Sequence, residues 1–204
     1  MFDRIPDITA QRAMLKPDSV AFRDLARGTT LTYRELENNV QSLAGFLRSA
    51  GVGEGDRIAV LCRNRVEFFE ILFAAGKLGA VLVPLNWRMP AGELAPLVDD
   101  AAPRFLFFGE EDRAVAEQLG GSRTQRVGFD DASGEGYTAL RENAEPFAGR
   151  DFWGGNDTWY LIYTSGTTGK PKAVIQTPAM ALANYVNSRP AMAISGDDVC
   201  LNYL

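Results

Sequence analysis

Apolar residues recur at helical spacing in one long stretch near the N-terminus and gather into short unbroken runs further along, and this contrast sets the expected order of elements. Leu36, Val40, Leu43, Ala44 and Leu47 fall on one face of a helix. Thr32 stands three residues ahead of Glu35, the arrangement of a capping box, and Gly51 supplies the stop. Upstream, residues 8–16 read as a short helix that ends before Pro17, 20–23 as a brief strand, and Gly28 as a turn.

From Arg57 onward the pattern alternates. Strands are expected at 57–62, 80–85, 104–108 and 126–129, and helices at 66–77, 93–99 and 114–119. The runs IAVLC and AVLVPL show no polar alternation, as expected for strands covered on both faces. The rhythm predicts an α/β fold: a mainly parallel sheet with right-handed crossovers, flanked by helices on both faces, with helix 66–77 deeply packed.

Residues 130–157 are rich in Gly, Glu, Asp and Asn, with helical character only at 137–142, and read as a surface excursion. Its carboxylates, Asp151 and Asp157 among them, are expected to serve solvation. The chain should re-enter the core at Trp159 and form a buried strand through Leu161, Ile162 and Tyr163. A returning strand at 173–176, a helix at 180–187 and the start of a strand at 199–204 complete the reading.

Composition narrows the possibilities. The chain has 204 residues, 46% hydrophobic and 23% charged, enough for one sizeable core or two modest ones. A net charge of -5 argues against a nucleic-acid partner held by electrostatics. There is neither a basic-then-apolar leader nor an apolar run long enough to span a membrane, so a cytoplasmic location is the expectation. Cys62 and Cys200 lack metal-ligand spacing and read as reduced thiols. With no histidine in the chain, imidazole chemistry is excluded within it.

The stretch LIYTSGTTGKPK, residues 161–172, breaks from apolar to small, hydroxylated and cationic residues. Gly166 and Gly169 allow backbone N–H groups to approach an anion closely, while Thr164, Ser165, Thr167 and Thr168 add hydroxyls and Lys170 and Lys172 add positive charge. Polyphosphate suits such a loop. A Walker P-loop is excluded by spacing, since two residues separate the glycines and Pro171 follows Lys170. A dinucleotide fingerprint is excluded as well, because the first strand-to-helix turn, Cys62-Arg63-Asn64-Arg65, has no glycine.

YTSGTTGKPKAV, residues 163–174, resembles the phosphate-binding signature of the adenylate-forming (AMP-binding) superfamily. The stretches at 31–61 and 74–89 resemble two earlier blocks of the same family, in the family's order. Pro84-Leu85-Asn86 is closer to acyl- and aryl-CoA ligases than to amino-acid-adenylating domains, which more often carry aspartate after Pro-Leu. The resemblance implies that residues 1–204 form a partial N-terminal large domain, with the phosphate loop at 163–172 and without the remaining large domain and C-terminal lid. It also implies that a carboxylic acid attacks the α-phosphate of ATP to give an acyl-adenylate, which CoA then captures.

By motif position, Thr164 is the hydroxyl for Mg²⁺, Ser165, Gly166, Thr167, Thr168 and Gly169 wrap the β- and γ-phosphates, and Lys172 and Lys170 supply charge. Thr164 and Lys172 are the catalytic candidates. Thr177-Pro178 stands where the family usually has Thr-His, so that histidine contact is lost. Asn86 and Arg88 read as hydrogen-bonding or surface loop residues. Such a piece is expected to be inactive alone and to self-associate through surface that the rest of a large domain would cover. The competing expectations are a non-catalytic phosphate-binding or interaction module, and a fragment of an amino-acid-adenylating domain.

Overall fold

The computed structural model describes residues 2–164, 172–196 and 198–201. Its elements run β1 (Arg4–Pro6), α1 (Ile8–Leu15), β2 (Val20–Asp24), β3 (Thr29–Thr32), α2 (Tyr33–Ser49), β4 (Arg57–Leu61), α3 (Val66–Leu78), β5 (Val81–Leu85), α4 (Ala91–Ala101) and β6 (Phe105–Phe108). They continue with α5 (Arg113–Ala116), β7 (Gln125–Gly128), α6 (Tyr137–Glu142), β8 (Phe152–Gly154), β9 (Tyr160–Thr164), β10 (Lys172–Gln176) and α7 (Pro178–Met192).

A six-stranded sheet in the order β10-β9-β5-β4-β6-β7 forms the centre. All its neighbouring pairs are parallel except β10 with β9. Successive residues of each strand face opposite sides. Ile58, Val60, Leu82, Phe105 and Phe107 therefore pack with α2 and α3, whereas Ala59, Leu61, Val83, Leu106 and Phe108 pack with Leu94, Leu97 and Val98 of α4. The connection from β4 to β5 runs one way along the sheet and that from β5 to β6 the other. Right-handed crossovers then place α3 and α4 on opposite faces, in keeping with the expected fold class.

The capping box of α2 is complete: Glu35 N donates to Thr32 Oγ1 at 3.2 Å and Thr32 N donates to Glu35 Oε2 at 2.7 Å. Three short strands escaped the sequence reading, β1, β3 and β8, because runs of three or four residues carry no measurable periodicity. β3 closes a hairpin with β2. No strand forms at Val199–201, while 202–204 lie outside the described residues. β9 is half-buried rather than buried, with Ile162 exposed, and among the described residues only β10 lies beyond it in the sheet.

The polar segment 130–157 is more than a surface excursion. Tyr137 and Trp153 are fully buried, and β8 pairs with β1. The segment crosses α2 and α3 as a strap. Phe147 N donates to Gln41 O at 2.9 Å, and a Cβ on Gly45 would lie 1.9 Å from Glu145 O. Gly76 similarly gives the Trp153 ring its place on α3, where a Cβ would come within 2.7 Å. Nor is Asp157 there only for solvation, since it accepts from Arg150 Nη1 at 2.8 Å and Gly154 N at 3.1 Å. The strap's anchors are isolated residues in irregular backbone, so no periodicity announces them.

Lys77, in the last turn of α3, is completely buried. Its Nζ donates to Asp7 Oδ2 and Glu37 Oε1, both at 2.8 Å, and to Ala148 O at 3.3 Å. One ammonium thus joins the N-terminal segment, α2, α3 and the strap. A buried charge removed from such a group leaves its partners unpaired in a medium that solvates them poorly. Lys77→Met is expected to lower unfolding free energy by about 3–5 kcal/mol in urea titrations. A loss under about 1 kcal/mol would show that the two carboxylates do not depend on the ammonium.

Candidate functional site

The parallel strands end along one edge of the sheet, and open α/β sheets bind ligands beyond the carboxyl ends of their strands. β9 delivers Thr164 to that edge, and β10 begins at Lys172 and runs back. Thr164 and Lys172 are direct partners in the antiparallel ladder, which holds their Cα atoms about 4.5–5.5 Å apart. Both are exposed. Ser165, Gly166, Thr167, Thr168, Gly169 and Lys170 lie outside the described residues.

The root of this hairpin is tied to three neighbours. Leu82 N donates to Trp159 O at 3.0 Å, and Trp159 Nε1 donates to Leu72 O of α3 at 3.0 Å. Tyr163 Oη donates to Asp100 Oδ2 of α4 at 2.6 Å. Burial raises the Tyr163 phenol pKa, and the Asp100 carboxylate raises it further, so this donor keeps its proton.

Two strands inward, the ends of β4 and β5 bring basic groups around one aromatic ring. The guanidinium of Arg63 lies 4.5 Å from the Trp87 ring centroid and that of Arg88 lies 4.3 Å from it. Asn86 Oδ1 accepts from Arg88 N at 3.0 Å, so the hydrogen-bonding role expected of Asn86 is present. Arg88 is exposed, and Arg63 also meets Glu111 at 3.5 Å. Arg63 entered the sequence reading only as part of a turn without glycine. The available signal was positional: a basic residue just after β4 and a Trp-Arg pair just after β5 converge once the strands are parallel neighbours.

The turn from β4 into α3 is occupied by the protein's own ions. Arg65 is buried and donates to Glu67 and to both oxygens of Asp130 at 3.0 Å, with its guanidinium 4.2 Å from the Phe129 ring centroid. Those hydrogen bonds hold Asp130 below the usual carboxylate range. A helix N-terminus filled in this way offers a pyrophosphate no seat, in agreement with the missing glycines.

Among the described residues, no group of three or more His, Cys, Asp or Glu could hold a metal ion. Thr164 offers a single oxygen. That fits Mg²⁺, which keeps several waters and relies on substrate phosphates, and does not fit an ion caged entirely by protein.

An open, mostly parallel α/β sheet flanked by helices and carrying this hairpin matches the N-terminal domain of adenylate-forming enzymes. The chain belongs to the AMP-binding enzyme family, which it matches over residues 9–204. It is 37% identical over 191 residues to a feruloyl-CoA synthase of Amycolatopsis sp, covering 94% of this chain and 37% of that protein. With an indoleacetate–CoA ligase of Aromatoleum aromaticum the identity is 37% over 203 residues, covering 95% and 39%.

Among solved structures, o-succinylbenzoate CoA synthetase from Bacillus subtilis in complex with ATP and magnesium superposes with TM-score 0.78 at 27% identity, covering 94% of this chain and 48% of that one. The N-terminal domain of FACL13 from Mycobacterium tuberculosis gives 0.74 at 29%, covering 83% and 43%. The chain therefore spans less than half the length of these proteins. No helix among the described residues is long and apolar enough to cross a membrane.

Two tests follow from these environments. Burial pushes the Cys62 thiol up to about 12, while Cys200 is exposed. Intact-mass analysis after iodoacetamide at pH 8 is expected to show one adduct, on Cys200, with Cys62 reacting only after unfolding. Asp130, with its lowered pKa, contributes stability that is present above its unfolded value and lost as pH falls through the folded one. Arg65→Leu should therefore flatten the stability-versus-pH slope below about pH 4, and an unchanged slope would deny the pair this role.

Proposed function

We propose that this chain supplies the ATP-phosphate-binding part of an acid–CoA ligase, which activates a carboxylic acid as its acyl-adenylate and passes the acyl group to CoA. The observation that carries this reading is the hairpin that sets Thr164 against Lys172 at the carboxyl edge of the sheet, in a chain of this family. In the first step a carboxylate oxygen attacks the α-phosphorus of ATP and pyrophosphate leaves. In the second, the CoA thiol attacks the acyl carbon and AMP leaves.

Lys172 places a cation where charge gathers on the departing phosphates, and Thr164 turns a hydroxyl toward the same edge. Ser165 to Gly169 supply backbone donors to the β- and γ-phosphates, and Lys170 adds a second cation. Bound Mg²⁺ would neutralise phosphate charge, with Thr164 among its ligands. Such groups accelerate reaction because they are fixed in place before charge develops.

Arg63, Trp87 and Arg88 bear on the acyl acceptor. Two guanidinium groups held over one indole ring suit the phosphates of a free nucleotide. The arrangement favours CoA over a carrier protein, the acceptor named for another relative, the fatty acid–acyl-carrier-protein ligase ScoC of Streptomyces coeruleorubidus. The relatives are more than twice as long as this chain, and acyl transfer is assigned to the complete polypeptide.

In a polypeptide extended to that length, ATP–pyrophosphate exchange is expected with some member of a broad panel of aryl and alkyl acids. Silence across the panel would sink the reading. Lys172→Ala should lower exchange about 100-fold. Arg88→Ala should raise KM for CoA while changing exchange less than about twofold, because the adenylation step does not involve CoA. The 204-residue chain by itself should form no acyl-CoA.

A further inference from the structure

The connections that leave β4, β5 and β6 emerge side by side at the carboxyl edge, because Leu61 pairs with Leu85 on one side and with Phe108 on the other. The turn after β6 carries three successive acids, and their surroundings differ. Glu110 accepts hydrogen bonds from Arg113 at 2.8, 2.9 and 2.6 Å, so that cation is already engaged. Asp112 is buried, and its carboxyl is pushed up by burial and then by Glu111, while Arg63 draws it down. Glu111 is exposed, and among the described residues its ion pair is with Arg63, at 3.5 Å.

Glu111 has a seat that the backbone provides. A Cβ at position 109 would lie 2.9 Å from Glu111 Oε2 and 3.1 Å from its carboxyl carbon, so the carboxylate folds back over bare glycine at the end of β6. From there it meets Arg63 across the β4–β6 pair. The two guanidinium groups on the Trp87 ring are therefore not equivalent. Arg88 is exposed and makes no ion pair among the described residues, whereas Arg63 already has a carboxylate beside it.

We propose that Glu111 is an internal stand-in for a phosphate: its carboxylate occupies Arg63 in the unliganded protein and is displaced when a phosphate of the incoming nucleotide takes that guanidinium. The inference rests on the assignment of Arg63, Trp87 and Arg88 to CoA. Arg88 receives the ligand first, and Arg63 joins it by exchanging partners.

The energetics favour that exchange. The Arg63 and Glu111 side chains are 54% and 41% exposed, and a contact of 3.5 Å is an ion pair without a hydrogen bond of ordinary length. Water screens such a pair, so it shifts an equilibrium only a few-fold. A phosphate offers Arg63 two parallel N–H···O bonds and more charge than a carboxylate, and it wins the guanidinium. Glu111 thus holds Arg63 over the ring until a phosphate arrives, at a small loss of affinity.

The test is calorimetric titration of the 204-residue chain with CoA. Glu111→Gln keeps the shape of the side chain and removes its charge, and it should tighten binding roughly two- to fivefold. Arg63→Ala and Arg88→Ala should each weaken binding about tenfold or more. In the Arg63→Ala background, Glu111→Gln should change affinity less than about 1.5-fold, because the guanidinium through which Glu111 acts is gone. Equal tightening in both backgrounds would mark a diffuse charge effect and overturn the proposal. So would a Glu111→Gln chain that binds CoA no more tightly while Arg88→Ala binds it more weakly, an outcome that leaves the CoA assignment standing. Absence of CoA binding, or binding indifferent to Arg88→Ala, would overturn that assignment and this proposal with it.

Discussion

A single ammonium group organises the half of this fold that lies behind the sheet. Lys77 Nζ holds Asp7, Glu37 and Ala148 O together in the dry interior. These partners come from the N-terminal segment, α2 and the strap, none of which adjoins the others in sequence. The strap leads through β8 to Trp159, which in turn is hydrogen-bonded to α3 and to the end of β10. The route from the buried cation to the hairpin at the carboxyl edge is thus continuous: the charge positions the strap, the strap enters β9, and β9 presents Thr164.

The central alternation of strands and helices could be read directly, because a parallel sheet covered on both faces leaves unbroken apolar runs such as RIAVL and VLVPL. Thr164 and Lys172 could be named as candidates because the residues between them form a recognisable pattern, and the structure makes them ladder partners. Three other things could not be read. Lys77 gives no sign of burial, since a lysine in the last turn of a helix usually reaches solvent, and its carboxylate partners are 70 and 40 residues away. The strap has the composition of a loop and keeps its buried aromatics singly. The Arg63, Trp87 and Arg88 grouping depends on β4 and β5 lying side by side in register.

The position of Arg65 clarifies why phosphate chemistry is sought at the hairpin. In α/β sheets that bind dinucleotides, the first helix N-terminus receives the pyrophosphate. Here that turn is filled by a guanidinium with two carboxylates of its own. The proposed anion-binding site lies further along the same carboxyl edge, past β5, where β9 ends and β10 begins. On that proposal the sheet keeps the general location of the ligand while changing which connection meets it.

The close approach of the strap to α2 and α3 shapes how this chain can change over generations. At Gly45 an added methyl group would run into Glu145 O, and at Gly76 into the Trp153 ring. Gly45 is only partly buried, so an accessibility profile would rank it as replaceable, and alanine would ordinarily favour a helix there. Tolerance to substitution along these two helices will therefore not follow burial. A lineage that replaces either glycine must rebuild the strap at the same time, which couples Gly45 to Glu145 and Gly76 to Trp153, far apart in sequence.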